Sequence, residues 1–215
     1  MKPFSPSFVG AIAGLSAAVF AFFSSSAGAQ GQPTEIKTVA DLETAVFAGG
    51  CFWCVEADFD KVDGVVDTVS GYIGGETSNP TYKTHSKDGH LEAVKISFDA
   101  AQVSFEELVE YFFRHIDPTD AGGQFCDRGH SYTTAVFAQD ERQAEIARAE
   151  KQAIESAGLL DAPVVTKIRE KSAFYPAEGY HQDYYLKQPA KYRFYRKACG
   201  RDARIEEVWG EDPSW

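Results

Sequence analysis

The residues with the most chemical promise stand together at Gly49-Gly50-Cys51-Phe52-Trp53-Cys54. Two glycines before Cys51, and an apolar pattern of helical period after it, put that thiol at a helix N-terminus. There, unpaired backbone N–H groups and the helix dipole favour thiolate over thiol, and nucleophilic cysteines are activated in this way. The C-x-x-C spacing by itself also permits a thioredoxin-like dithiol, half of a zinc site, or a structural disulfide. Zinc is the weakest of these, because neither Cys126 nor Cys199 has a second Cys or a His at ligand spacing.

The elements that must hold this motif can be followed along the chain. Thr44 to Phe47 reads as a strand, with the helix beginning at Cys51. Segments 65–72 and 91–98 alternate as strands do, and the Gly/Ser/Asn/Pro-rich stretch 74–89 between them is a candidate binding loop. Ser104-Phe-Glu-Glu107 is a capping box opening a helix to about His115, which Asp117-Pro118-Thr119 stops. A strand over 132–138, a helix from Asp140 to Ala157 closed by Gly158, a strand over 164–168 and a helix over 177–186 follow. Beyond Lys191 no period is evident, and an irregular tail is expected from about 189. Strands interspersed with helices at short spacing predict a single α/β (α+β) domain with a mixed sheet covered by helices.

Composition narrows the function further. The chain has 215 residues, 21 Lys+Arg against 32 Asp+Glu and a formal charge of −11. That balance argues against nucleic acid, which needs a basic face, and against lasting contact with anionic membranes. The single methionine is Met1, which excludes a Met-lined partner groove. Lys2, the apolar run 8–23, three serines and Ala27-Gly28-Ala29 predict a cleavable signal peptide over 1–29, with an uncleaved anchor as the alternative. Residues 30–42 then read as a polar arm and 43–215 as the domain, exported to a periplasm or secreted.

The motif set resembles the A-type peptide methionine sulfoxide reductases. The resemblance is carried by Gly50-Cys51-Phe52-Trp53 with Glu56, by Val69-Ser70-Gly71-Tyr72-Ile73-Gly74-Gly75, and by Pro80-Thr81-Tyr82. It continues through Gly89-His90-Leu91-Glu92-Ala93-Val94, His115-Ile116-Asp117-Pro118-Thr119, Asp127-Arg128-Gly129-His130-Ser131-Tyr132 and Ala177-Glu178-Gly179-Tyr180-His181-Gln182. These stretches run colinearly over roughly residues 43–188. The family fold so implied is a two-layer sandwich with a ferredoxin-like core.

The reaction implied by the resemblance returns methionine S-sulfoxide, free or in proteins, to methionine. Cys51 would attack the sulfoxide and become a sulfenic acid. Glu92 would protonate the sulfoxide oxygen, Tyr82 and Tyr132 would orient it, Asp127 would order the site, and Phe52 and Trp53 would wall the S-methyl group. On pattern alone these are a solvent-facing charge, ordinary tyrosines, a turn aspartate and core aromatics. His181 and Gln182 are assigned structural support. The chain departs from the family at Cys54, usually a glycine, around Gln124-Phe125-Cys126, and at Ser131. The resemblance implies a recycling cysteine in the C-terminal region, so Cys199 is expected to resolve first; Cys54, one helical turn from Cys51, is second, and Cys126 is third or paired structurally with Cys199. No metal or organic cofactor is implied. A monomer recycled by a thioredoxin-like dithiol is expected, the alternative being a periplasmic protein-disulfide oxidoreductase using Cys51 and Cys54.

Overall fold

Residues 42–210 are described by the computed structural model. The expected signal peptide, and all but the last residue of the arm at 30–42, lie outside the described residues. Alternating apolar runs form strands and runs of helical period form helices: β1 (Glu43–Gly49), α1 (Phe52–Phe59), β2 (Val65–Ile73), β3 (Leu91–Phe98) and α2 (Phe105–Arg114). A two-stranded ribbon follows, β4 (Gly123–Gln124) with β5 (Asp127–Arg128), then one 3-10 turn at His130–Tyr132. β6 (Thr134–Ala138), α3 (Glu141–Ala157), β7 (Lys167–Glu170), β8 (Phe174–Pro176), α4 (Tyr184–Lys187), α5 (Pro189–Ala198) and α6 (Arg201–Trp209) complete the order.

Six strands pair as β7-β6-β1-β3-β2-β8, antiparallel except for β6 with β7. The sheet is therefore mixed. Its four central strands, connected β1-α1-β2-β3-α2-β6 and ordered β6-β1-β3-β2, have ferredoxin-like topology.

The period of two along each strand decides what faces the helices. Phe47 stacks on Phe59, Phe105 and Phe112, with centroids 5.2, 6.1 and 4.8 Å apart, and so joins β1 to α1 and α2. Val46 and Ala48 point the other way, into a second buried cluster with Ile73, Leu91, Ala93 and Phe137. On β3, Glu92 has the parity of Val94 and Ile96, which belong to the Phe47 cluster. Its partner across the sheet is Tyr72. A carboxylate that reads as solvent-facing on pattern is thus carried under the start of α1.

Two stretches differ from the sequence reading. The tail from 189 is helical, not irregular: Pro189 opens α5, and left-handed Gly200 turns the chain into α6. Its period is hidden because the inward residues are Tyr192, Arg201 and Ile205, and a buried arginine breaks any apolar stripe. The helix expected over 177–186 shrinks to α4. Gln182 explains this, accepting from Ser70 N–H at 2.9 Å and donating to Ser70 O and Ala177 O at 2.8 and 2.9 Å. Asp183 then takes a left-handed φ of 51°. Bonds to β2 replace those of a helix.

Candidate active site

Cys51 caps α1 and is 6% exposed; its carbonyl accepts from Cys54 N–H at 3.1 Å and Val55 N–H at 3.3 Å. The glycine before it is needed. Gly50 has φ +86°, and a Cβ there would lie 2.6 Å from the Gln124 side chain, whose amide holds Asp117 N–H and O at 2.9 and 2.8 Å. The first free amide of the helix, Phe52 N–H, donates to Glu92 Oε2 at 3.0 Å. The Glu92 carboxyl is thus held by the residue next to Cys51 at the helix start.

Burial pushes Glu92 up to about 8 despite that hydrogen bond, with the charges of Asp127 and Cys54 adding to the rise. It carries a proton at neutral pH. Burial also drives Cys51 well above the ordinary thiol range, helped by Cys54 and Glu92 and opposed by a hydrogen bond with Tyr195. The helix start does not make Cys51 the resting thiolate. A helix terminus contributes about 0.3–1 kcal/mol, against several for desolvating an ion, and the amide is given to Glu92. Cys54 moves down instead, through its hydrogen bond with Cys51 and the charges of Arg201 and Arg196, against its own burial. Of the two thiols, Cys54 is the more acidic.

The arginines come from the tail. Arg196 Nη1 lies 2.7 Å from Asp58 Oδ1, and Arg201 Nε 3.6 Å from Asp58 Oδ2. Burial would raise Asp58, but the two guanidinium groups outweigh it and hold the carboxylate ionised. Arg201 also donates to Gly49 O at 3.3 Å and His115 O at 2.8 Å, tying α6 to the residues just before Cys51.

Asp127 sits on the two-stranded ribbon, where Gly123 has φ +147° and a Cβ would come within 2.2 Å of Asp127 O. Tyr195 donates its hydroxyl to Asp127 Oδ2 and is also hydrogen-bonded with Cys51, so a chain of contacts runs from Cys51 through Tyr195 to Asp127. Cys199 Sγ lies 3.8 Å from the same Asp127 oxygen. Cys199 is bonded to Cys126 with S–S 2.00 Å, while Cys51 and Cys54 are free. Cys126 is exposed at the outer end of this chain. Cys126, Asp127 and Cys199 bring metal-ligand atoms within 4.8 Å of one another. With both sulfurs in a covalent bond, only the carboxylate is left as a donor.

The remaining expected residues surround the same place. Tyr82 is 41% exposed, and its N–H donates to Glu178 Oε1 at 3.0 Å; Glu178 Oε2 accepts from Tyr72 at 2.8 Å. Tyr132 is half-buried in the 3-10 turn rather than in a strand, and burial and the charge of Glu92 raise both Tyr82 and Tyr132. Their hydroxyls stay protonated as donors. Trp53 stacks on Tyr184 at 3.9 Å and donates its indole N–H to His181 Nδ1 at 3.1 Å; His181 in turn packs on Phe52 at 5.0 Å. Glu56, buried and raised to about 7, accepts from Asp183 N–H at 3.0 Å and pins the His181 segment to α1.

Sequence reasoning missed Tyr195, Arg196, Arg201 and Asp58. A signal existed for one of them: Asp58 lies four residues after Cys54 on the apolar face of α1, and a buried carboxylate there requires a cation partner.

Comparison with known proteins gives a consistent picture. Residues 43–213 match the family described as peptide methionine sulfoxide reductase. Peptide methionine sulfoxide reductase MsrA 2 of Rhizobium meliloti (strain 1021) is 52% identical over 172 residues, covering 80% of this chain and 86% of that protein. The MsrA of Bacillus subtilis (strain 168) is 49% identical over 170 residues, covering 78% and 96%. Among solved structures, methionine sulfoxide reductase A of Corynebacterium diphtheriae superposes with a TM-score of 0.61 at 32% identity, over 74% of this chain and 77% of that one. Reduced Mxr1 from Saccharomyces cerevisiae gives 0.63 at 30%, over 70% and 88%. The sheet and the sequence match agree, and this chain belongs to the peptide methionine sulfoxide reductase family.

Proposed function

We propose that this chain reduces methionine S-sulfoxide, in proteins and free, to methionine, as a peptide-methionine (S)-S-oxide reductase. The observation that carries the reading is the buried Glu92 carboxyl held by the amide adjacent to Cys51, where burial pushes it up to about 8. Sulfoxide oxygen leaves sulfur only when it receives a proton, and Glu92 is placed and loaded to give one. Tyr82 and Tyr132 supply further donors to that oxygen, while Phe52 and Trp53 form the apolar wall. Asp127, through Tyr195, orders the thiol side of the site. The oxygen passes to Cys51 as a sulfenic acid, methionine leaves, and the thiol proton of Cys51 replaces the one that Glu92 gave.

A second thiol then condenses with the sulfenic acid, releasing water and forming a disulfide. Cys54 is the first to condense in this scheme, since it is hydrogen-bonded with Cys51 and is the more acidic of the two thiols. Exchange with the Cys126 and Cys199 thiols regenerates Cys51 and Cys54 and leaves the Cys126–Cys199 disulfide. Its exposed end suits reduction by an external thioredoxin-like dithiol. A monomer suits this scheme, which calls on no group from a second copy. We also infer from the pattern of residues 1–29 that it is exported to the periplasm or secreted.

The test is reduction of the two sulfoxide epimers with dithiothreitol by wild type and Cys51→Ser. Wild type is expected to consume the S epimer and Cys51→Ser neither. Activity surviving in Cys51→Ser, or a preference for the R epimer, overturns the reading.

A further inference from the structure

His85 has no part in the scheme above, yet it lies against the acid. Its backbone N–H closes a turn on Thr81 O at 2.8 Å, and its Nδ1 is 3.0 Å from Tyr82 O. A carbonyl oxygen only accepts, so Nδ1 carries the ring proton and the neutral ring presents a lone pair at Nε2. That nitrogen is buried without a hydrogen-bond partner, and Glu92 Oε1 lies 3.7 Å from it. The other carboxyl oxygen, Oε2, is already taken by Phe52 N–H. The proton of Glu92 therefore belongs on Oε1, the oxygen that faces His85.

Packing fixes the ring in this attitude. It stacks on Tyr72 at 4.7 Å and 20°, and on Tyr82 at 5.7 Å and 27°. The groups facing it are Tyr72 from β2, Glu92 from β3, Tyr82 and His90 from the loop between them, and Glu178 and His181 from the segment after β8.

We propose that His85 is a positioning residue for the acid, its Nε2 accepting the proton on Glu92 Oε1 and keeping that carboxyl loaded and aimed between turnovers. The inference rests on reading Glu92 as the proton donor. At 3.7 Å the contact is longer than a hydrogen bond, and a small rotation of the Glu92 side chain closes it. When sulfoxide enters, the proton turns from Nε2 to the substrate oxygen. Burial lowers His85 while it raises Glu92, so the pair meets as neutral imidazole and neutral acid. An acceptor for the acid's proton favours the protonated form, and removing it favours the carboxylate.

The experiment measures kcat/KM for the S epimer against pH in wild type, His85→Phe, His85→Gln and Glu92→Gln. Phenylalanine keeps the stack between Tyr72 and Tyr82 and lacks the nitrogen, whereas glutamine returns an acceptor near the Nε2 position. The alkaline limb of His85→Phe is expected about one pH unit lower, roughly a tenfold loss above the limb with little loss below it, and His85→Gln is expected to recover more than half of that displacement. A carboxyl-carbon NMR titration of Glu92, assigned with Glu92→Gln, should show the same displacement without turnover. If His85→Phe fails to fold, ring-nitrogen NMR of the wild type decides: the proton on Nδ1 supports the proposal and a proton on Nε2 overturns it. An unmoved limb and titration in His85→Phe, with Glu92→Gln inactive, overturn this inference alone. An active Glu92→Gln overturns the reading beneath it.

Discussion

Replacing Glu92 by glutamine should remove activity and stabilise the fold, by an amount that grows with pH. The folded carboxyl titrates at about 8 against an ordinary 4.5. Between those values the unfolded chain has released a proton that the folded chain retains, so stability is full below 4.5 and falls as pH rises through the folded value. The slope is about 1.4 kcal/mol per pH unit, which accumulates to about 3 kcal/mol at pH 7 and about 5 kcal/mol above pH 8. Glutamine cannot ionise, and its amide oxygen can still accept from Phe52 N–H. Removing a general acid costs about 10²–10⁴ in rate, so the two effects have opposite signs. Guanidinium unfolding of both proteins at about pH 5, 7 and 9 should show a stability difference that widens across the series and levels off past pH 8. A difference independent of pH would refute the argument that burial holds the proton on Glu92, because every other titrating group is common to both chains.

Replacing Cys199 by serine should leave one equivalent of methionine formed per enzyme and trap a Cys51–Cys54 disulfide, read by peptide mass after one turnover; a trapped protein with Cys54 still free would show that the inner thiol does not resolve the sulfenic acid. Replacing Arg201 by leucine should cost about 3–5 kcal/mol in urea unfolding, since Asp58 loses its fully buried cation, and should slow alkylation of Cys54 at neutral pH by raising its thiol; an unchanged alkylation rate would remove Arg201 from the account of that thiol's acidity.

Much of this site could be read from the chain because its parts are local. Cys51 announces itself through the two glycines and the helix they open, and the strands around Glu92 alternate as a half-buried strand should. What strand pattern could not supply is which side of β3 the sheet covers. Glu92 is legible as an acid only through the family resemblance, because a carboxylate facing α1 and one facing water share the same period. The tail hides its helices for a related reason: α5 and α6 bury Tyr192 and Arg201, and a polar residue facing inward erases the stripe by which an amphipathic helix is recognised. The pairing of Cys126 with Cys199 is one of the alternatives open on the sequence; it spans 73 residues, and no spacing rule reaches that far to select it. His85 left no trace in any pattern; only the unmatched nitrogen beside Glu92 exposes it.

The C-terminal tail is fastened by two kinds of link that answer to different agents. The bond from Cys126 to Cys199 is covalent, and a reductant opens it. The grip of Arg196 and Arg201 on Asp58, Gly49 and His115 is ionic and hydrogen-bonded, and it is indifferent to redox state. Closing a loop of this length is worth about 4 kcal/mol of chain entropy, so the oxidised protein is the more tightly laced form. Each delivery of electrons therefore loosens the seam between ribbon and tail while the arginine anchors keep the thiol pocket roofed. A donor can work at the open edge without unroofing the chemistry beneath.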